Sequence, residues 1–329
     1  MGTARVWNGA APGHVRLWFH FAYSSTTVEL PLETRRFETS IGAVLIRVAS
    51  DVGGRFTDKL AYDEATGRVT VAKVPTTPHN PAEGTAAGLA RALSGRAGAD
   101  AGHVGHGMTA ATNAVIQRKG GRMAVVLNEG FRDLLLIGRQ DRPSLYAITT
   151  TRPAPLVDRA DCYTVAGRID AAGNEVTPLD EARLRAIATE IEGTAVVAVV
   201  VCLLHSYANP AHERRAKAIL SEALPRRAIC ISVEIMNEFR GWERASAAAL
   251  NAYLSPVMDR YLTRLAATLA DPGSLGVPAG CPVLVMEAAG GLMTVDSARA
   301  WPIHTVLRGL RATWSRVRTS RGCRVLWTS

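Results

Sequence analysis

Val44-Leu-Ile-Arg-Val-Ala-Ser-Asp-Val-Gly-Gly-Arg-Phe-Thr-Asp-Lys-Leu-Ala-Tyr62 is an apolar, β-branched run that breaks at a double glycine and then resumes. Val44 to Ala49 predicts a strand, Asp51-Val-Gly-Gly-Arg-Phe-Thr-Asp58 a glycine turn, and Lys59 to Tyr62 and Arg68 to Val74 two further strands around Thr66-Gly67. This is a meander with a glycine-rich first turn. Downstream, Pro81 suits the first turn of a helix that Gly95 stops. His103 to Gly107 reads as a strand end, Thr109 to Lys119 as a helix closed by Gly120-Gly121, and Met123 to Leu127 as the next strand.

The second half alternates strand and helix. Cys162 to Ile169 and Glu175-Val176 flank a turn and predict a hairpin, and Leu179-Asp180 opens a helix through Glu192 with Leu184, Ile187 and Ile191 on one face. Ala195 to Leu204 predicts a buried strand, Pro210 to Leu224 a helix, and Ala228 to Val233 a strand. Ala245 to Leu269 is expected as a long helix interrupted at Pro256, and Val283 to Met286 as a return to the sheet. Alternation of this kind predicts an α/β protein with a mixed sheet.

The 329 residues are 47% hydrophobic and 20% charged, enough for a sizeable core in two domains or subdomains, which excludes a disordered or fibrous chain. The longest apolar run, Ala195 to Leu204, is far short of the ~20 residues that span a bilayer, so a soluble, cytoplasmic protein without membrane contact is expected. Five dispersed cysteines without a Cys-x-x-Cys pair indicate neither a disulfide framework nor structural zinc. The net charge of +9 is uneven: residues 308 to 329 hold six arginines and no acid, whereas residues 47 to 307 hold 28 basic and 26 acidic residues. A basic tail on a nearly neutral body argues against nucleic acid as the main partner. The tail has no helical or strand period and reads as a segment translated out of frame, with a phosphate-contacting basic arm as the alternative. Strand patterning starts near Ile41, so residues 1 to 46 read as an extension, with translation from Val44 or Leu45 as an alternative.

Glycines after a strand let successive N–H groups approach an anion, and Asp51 is placed to hold a divalent cation or its waters. By spacing alone, an ordinary strand turn with a capping Asp fits equally well; the turn is neither a Walker pattern nor Gly-x-Gly-x-x-Gly. Thr109, Thr112 and Asn113 open a helix, either as a plain N-cap and exposed face or as an anion contact. His106 is an ordinary strand-end histidine or a metal ligand lacking a second histidine. Arg132, Asp133, Arg139 and Gln140 form a polar group whose default is surface salt bridging. Cys202 sits in an apolar strand as an inert thiol, and His205-Ser206 lack a nucleophile elbow.

Four stretches in order and spacing resemble the hydantoinase A and 5-oxoprolinase family, which also includes ATP-dependent ketone carboxylase subunits. They are Asp51 to Asp58, His106-Gly-Met-Thr-Ala-Ala-Thr-Asn113 with Arg118-Lys119-Gly120, Glu129 to Gln140, and Leu204-His-Ser-Tyr-Ala-Asn-Pro-Ala-His-Glu213. The resemblance covers residues 47 to 307. It implies an actin-like, ribonuclease-H-like ATPase fold and ATP-driven opening of a cyclic amide such as a hydantoin or 5-oxoproline. It also implies ATP and Mg²⁺ as cofactors and a hydantoinase B-like subunit as partner. On this resemblance Asp51 organises Mg²⁺ and is catalytic with Asp58; Gly53, Gly54, Arg55 and Thr57 bind the nucleotide. Thr109, Thr112, Asn113 and Arg139 meet phosphate or substrate.

The chain departs from the family pattern at three places. Arg55 stands where the family has Thr, and a cation there either helps hold ATP or blocks it. Glu287-Ala-Ala-Gly-Gly-Leu-Met293 lacks two short polar side chains of the family's version. A second glycine-rich phosphate loop does not follow Leu307, so a first lobe and only the start of a second are expected. The expected divisions are 1–46 (extension), 47–235 (N-terminal domain), 236–307 (start of the main domain) and 308–329 (tail). The alternative function is a non-catalytic subunit that binds nucleotide or partner within a hydantoinase or ketone carboxylase complex.

Overall fold

The computed structural model describes residues 5–6, 14–21, 24–31, 46–53, 56–63, 69–77, 85, 88–89, 93, 101–141, 146, 148, 154–270 and 281–306. Gly54, Arg55, the Thr66-Gly67 turn, most of the helix expected from Pro81 to Gly95, and the tail from 308 lie outside the described residues. The chain divides into two units, 1–43 and 44–329. The first holds an antiparallel sheet of β1 (Arg5–Val6), β2 (His14–Phe21) and β3 (Ser24–Pro31), so this segment carries strands that its sequence did not lead us to expect.

The second unit is α/β. Its six-stranded mixed sheet comprises β4 (Ile46–Val52), β5 (Phe56–Asp63), β6 (Val69–Pro75), β7 (Ala101–Met108), β14 (Val283–Met286) and β15 (Leu292–Thr294). Their spatial order is β15-β14-β7-β4-β5-β6. β4, β5 and β6 pair antiparallel as the meander, whereas β7 and β14 run parallel to β4. The first strand runs longer than expected, because Asp51 and Val52 still pair with Asp58 and Thr57.

Between β7 and β14 the chain builds a second, wholly parallel sheet in the order β13-β12-β8-β9. It consists of β8 (Met123–Asn128), β9 (Cys162–Val165), β12 (Ala198–Val201) and β13 (Ala228–Ile231). Every residue of β8 and β12 is buried, as a parallel sheet covered on both faces requires. Alternation sorts them: Met123, Val125, Leu127 and Val200 face one core, Ala124, Val126, Val199 and Val201 the other. The second core is closed by α3 (Glu181–Glu192) and α4 (Ala211–Ala223) through Leu184, Ile187, Ile191, Ile219 and Leu220. Asp180 caps α3 by accepting from the Arg183 N–H at 2.9 Å.

Two expectations are corrected. Cys162–Val165 does not form one hairpin with Glu175-Val176. It pairs with β8, and after Gly167 at φ 144° a separate pair forms between β10 (Arg168–Ile169) and β11 (Glu175–Thr177). Pro256 does not interrupt its helix: short α5 (Ser232–Ile235) precedes α6, which runs unbroken from Gly241 to Ala270. α6 packs Ala245, Ala248, Tyr253, Met258 and Leu262 into the core that holds Met108, Val125, Val200 and Val285. It therefore touches both sheets. Among the described residues no helix is long and apolar enough to cross a membrane.

Candidate functional site

β4 and β7 run parallel in register, Val52 beside Met108, so their C-terminal ends coincide. Parallel sheets place ligands at such edges, because the loops that leave them are free to turn outward. Val52 leads into Gly53, whose N–H donates to the Phe56 carbonyl at 3.0 Å and closes a tight turn. A Cβ on Gly53 would lie 2.9 Å from that carbonyl oxygen, hence the glycine. The turn is buttressed by Thr76, whose Oγ1 donates to the Gly53 carbonyl at 2.9 Å and lies 3.0 Å from Thr57 Oγ1.

Met108 leads into Thr109, at the N-cap position of α1 (Ala110–Ile116). Its hydroxyl caps nothing. Thr109 N–H and Oγ1 each donate to the Val52 carbonyl at 3.3 Å, and Asn113 Nδ2 donates to Thr109 Oγ1 at 3.3 Å. Thr109, Asn113 and the glycine turn are thus one hydrogen-bonded assembly. Thr112 is half-buried on the same helix, which at seven residues is shorter than expected and carries a weaker dipole.

Strand alternation and register give the meander two different faces. On one, Asp51, Asp58 and Lys73 stand side by side across β4, β5 and β6, with Lys73 Nζ 3.7 Å from Asp58. Asp51 is buried; burial first, and then the Asp58 charge, raise its pKa above the ordinary carboxylate value, while Lys59 opposes them. On the other face, Lys59, Ser50 and His106 align across β5, β4 and β7 and are fully buried. Lys59 donates a short hydrogen bond to Ser50 Oγ, and burial lowers its pKa to about 7. His106 Nε2 lies 2.7 Å from the hydroxyl of Tyr261 on α6, and burial lowers its pKa to about 3, so the ring is neutral. Its Nδ1 is the one buried side-chain polar atom among the described residues without a partner.

Arg139 belongs elsewhere. It packs over the Trp242 ring at 4.9 Å and donates through Nε to Glu243 Oε1 at 3.0 Å, at the start of α6. Tyr261, beside His106, is 18 positions further along α6, or roughly 27 Å at 1.5 Å per residue. Gly53 and Thr57, joined through Thr76, and Thr109 and Asn113, joined through the Val52 carbonyl, meet at the ends of β4 and β7; Asp51 and Asp58 pair on the face of the meander opposite Thr57, and Arg139 belongs to neither group. Asp133 pairs with Arg159 at 2.5 Å, and Arg132 donates to the Cys162 carbonyl at 2.9 Å. Cys202 is buried, with its thiol pKa raised to about 11, as befits an inert thiol. Ser206 Oγ donates to the Leu203 carbonyl at 2.9 Å.

Sequence reading missed Ser50, Lys59, Thr76 and Tyr261. A signal existed for Lys59: it alternates with Thr57 and Ala61 along β5, on the face that packs inward. Tyr261 had none, lying 155 positions from His106. Nor did sequence show the buried ion pair of Glu213 and Arg244, 3.2 Å apart, in which Glu213 also accepts from Leu203 N–H and Ser232 Oγ.

Two family models match the chain: the hydantoinase/oxoprolinase N-terminal region over residues 47–224 and hydantoinase/oxoprolinase over residues 244–319. An uncharacterised protein of Methanocaldococcus jannaschii is 36% identical over 267 residues, 80% of this chain and 38% of that one. Caprolactamase subunit alpha of Pseudomonas jessenii is 34% identical over 254 residues, 75% of this chain and 36% of that one. The crystal structure of the ATP-dependent caprolactamase from the same organism superposes with a TM-score of 0.70 at 32% identity, covering 79% of this chain and 38% of its own. A nucleotide-free acetone carboxylase structure gives a TM-score of 0.69 at 26% identity, again over 79% and 38%. The chain thus spans less than two fifths of the length of these relatives. With the first model covering more than half of its residues, the chain belongs to the hydantoinase/oxoprolinase family.

Proposed function

We propose that this chain supplies the nucleotide-handling part of an ATP-dependent enzyme that opens a cyclic amide of the hydantoin or 5-oxoproline type. The observation that carries this reading is the junction of the Gly53 turn, buried Asp51 and the Thr109–Asn113 pair at the C-terminal ends of β4 and β7. The strand order β6-β5-β4-β7-β14, an antiparallel meander followed by two parallel strands, suits an actin-like, ribonuclease-H-like lobe. Membership of a family that includes an ATP-dependent caprolactamase supports it further.

Asp51 and Asp58 are the two neighbouring carboxylates open to a divalent cation, with phosphate oxygens and water to supply its other ligands; among the described residues no group of three or more His, Cys, Asp or Glu side chains is placed to hold a metal by itself. Burial and Asp58 both oppose the charge on Asp51, so a positive ion beside that carboxylate relieves an unfavourable state. Asp51 would hold Mg²⁺ directly or through water, and Mg²⁺ when bound neutralises phosphate charge. A lactam is a poor electrophile, and ATP makes its oxygen part of a leaving group; what the protein adds is positioning. Gly53, Gly54, Arg55 and Thr57 would line the phosphates, with Thr76 holding the turn rigid. Thr109 and Asn113 would orient the transferred phosphate, and Asp58 would keep Lys73 beside it.

The test is ATP turnover by the full chain with Mg²⁺, stimulated by 5-oxoproline, hydantoin or caprolactam, alone and with a hydantoinase B-like subunit. Asp51→Asn should lower it by about 100-fold or more. Absence of ATP binding in titration calorimetry would sink the proposal. The name of the caprolactamase relative as a subunit favours one second reading. ATP bound without turnover, together with a stable complex with that partner, would make this chain a nucleotide-holding subunit.

A further inference from the structure

A half-open cavity of about 740 Å³ lies between the segment Leu135–Asp141, the segment Ala154–Val157 and the first turns of α6. Its size is that of a small-molecule site. The walls are mainly apolar, with Ile137, Pro155, Val157, Trp242 and Ala249 among them. The polar lining is Arg139, Gln140, Asp141 and Ser246. The Arg139 guanidinium lies over the Trp242 ring, 4.9 Å from its centroid, and is anchored on Glu243 Oε1 by Nε at 3.0 Å and Nη2 at 2.9 Å. A guanidinium has five N–H donors, and Glu243 takes two. The remaining donors belong to a group whose orientation is already fixed, so little rotamer entropy is left to lose on binding.

Charge narrows the occupant. Arg139 and Arg240 share Glu243, with Arg240 Nη1 at 3.9 Å, and Asp141 lines the same cavity. Among the described residues the charged side chains that line the cavity are Arg139, already paired with Glu243, and Asp141, so the walls offer no unpaired positive charge to an anion. We propose that this cavity is a binding site for an uncharged, mainly apolar molecule with a hydrogen-bond-accepting oxygen, the oxygen on Arg139 and the apolar body against Ile137 and Val157. Arg139 stands roughly 27 Å from the Tyr261–His106 pair along α6, so the occupant is not the group that receives phosphate at the glycine turn. The inference is independent of the proposed function, since it needs neither ATP nor Asp51.

A matched pair of probes, 2-naphthamide and 2-naphthoate, tests it by titration calorimetry on the full chain without nucleotide. The amide should bind at least about tenfold more tightly than the carboxylate, and Arg139→Ala should weaken it by about tenfold. Ser246→Leu, which fills the cavity from half-buried positions on α6 where leucine suits a helix, should abolish binding. Asp51→Asn should leave it intact. The proposal is overturned if neither probe binds, if the carboxylate binds as tightly as the amide, or if the amide binds equally to Ser246→Leu. Loss of ATP turnover with retained amide binding would count against the proposed function alone.

Discussion

Lys59 and His106 are two cations that the fold declines to charge. Lys59 titrates at about 7 in the native state against 10.5 as an ordinary side chain, so between those values the unfolded chain holds more protons and stability rises with pH. His106, lowered from 6.5 to about 3, has the same sign, and stability falls as pH drops through that lower window. Asp51 acts oppositely: its raised pKa lets the native state hold an extra proton above 3.8, a contribution lost as pH rises through the raised value. Lys59→Met should therefore raise the thermal midpoint at pH 6 and flatten its rise between pH 7 and 10. Thermal melts across that range check this, and an unchanged slope would mean that Lys59 does not carry the effect. The glycine turn and Asp51 were legible in sequence, because strand, double glycine and Asp are neighbours along the chain. Ser50–Lys59 was not, since the pairing of β4 with β5 decides which face each side chain takes.

At the scale of elements, α6 shows how a proline is kept inside a helix. Pro256 offers no N–H to the Ala252 carbonyl, a loss that with ring crowding costs about 3 kcal/mol in an isolated helix. The surrounding chain offsets this by docking: Gly121 N–H donates to the Tyr253 carbonyl at 2.9 Å, and Gly120 and Gly121 lie flat against Tyr253 and Pro256. A Cβ on Gly120 would fall 2.2–2.4 Å from the Tyr253 ring. Gly120→Ala should lower stability by about 1–3 kcal/mol, read from the urea midpoint. Gly193→Ala is the contrast, with nothing within 4 Å of a new Cβ and φ at −79°, and should be neutral or slightly stabilising. Equal effects of the two would remove the docking argument. The expected break at Pro256 failed because propensity is a local quantity, whereas Gly121 reaches Tyr253 from 132 positions away.

For the molecule, Glu213 and Arg244 matter most. Glu213 lies in the span matched by the first family model and Arg244 opens the span matched by the second, and both side chains are buried. Removing one partner of such a pair leaves an uncompensated buried charge, a cost of about 3–5 kcal/mol. α6 also covers Val125 and Val200 on the parallel sheet. Residues 44–235 alone should therefore lack a cooperative unfolding transition and be cleaved rapidly by protease, in contrast to residues 44–329. A stable 44–235 fragment would show that the two spans fold independently. Glu213→Ala in the full chain should give a milder version of the same loss, seen as a lower urea midpoint.

The sequence by itself determined the alternation of strands and helices, the buried character of β12, the start and apolar stripe of α3, and the position of the glycine turn. Each of these depends on residues within a few positions of one another, where periodicity and backbone sterics act. Tertiary structure decided that Cys162–Val165 leaves its expected hairpin for β8, that Arg139 stands apart from Asp51, and that His106 meets Tyr261. It also decided that Glu213 meets Arg244. These outcomes turn on which sheet a strand joins and on which groups burial removes from water. Both are settled only when distant segments close on one another, since the energy of a buried charge depends on partners that local sequence does not contain.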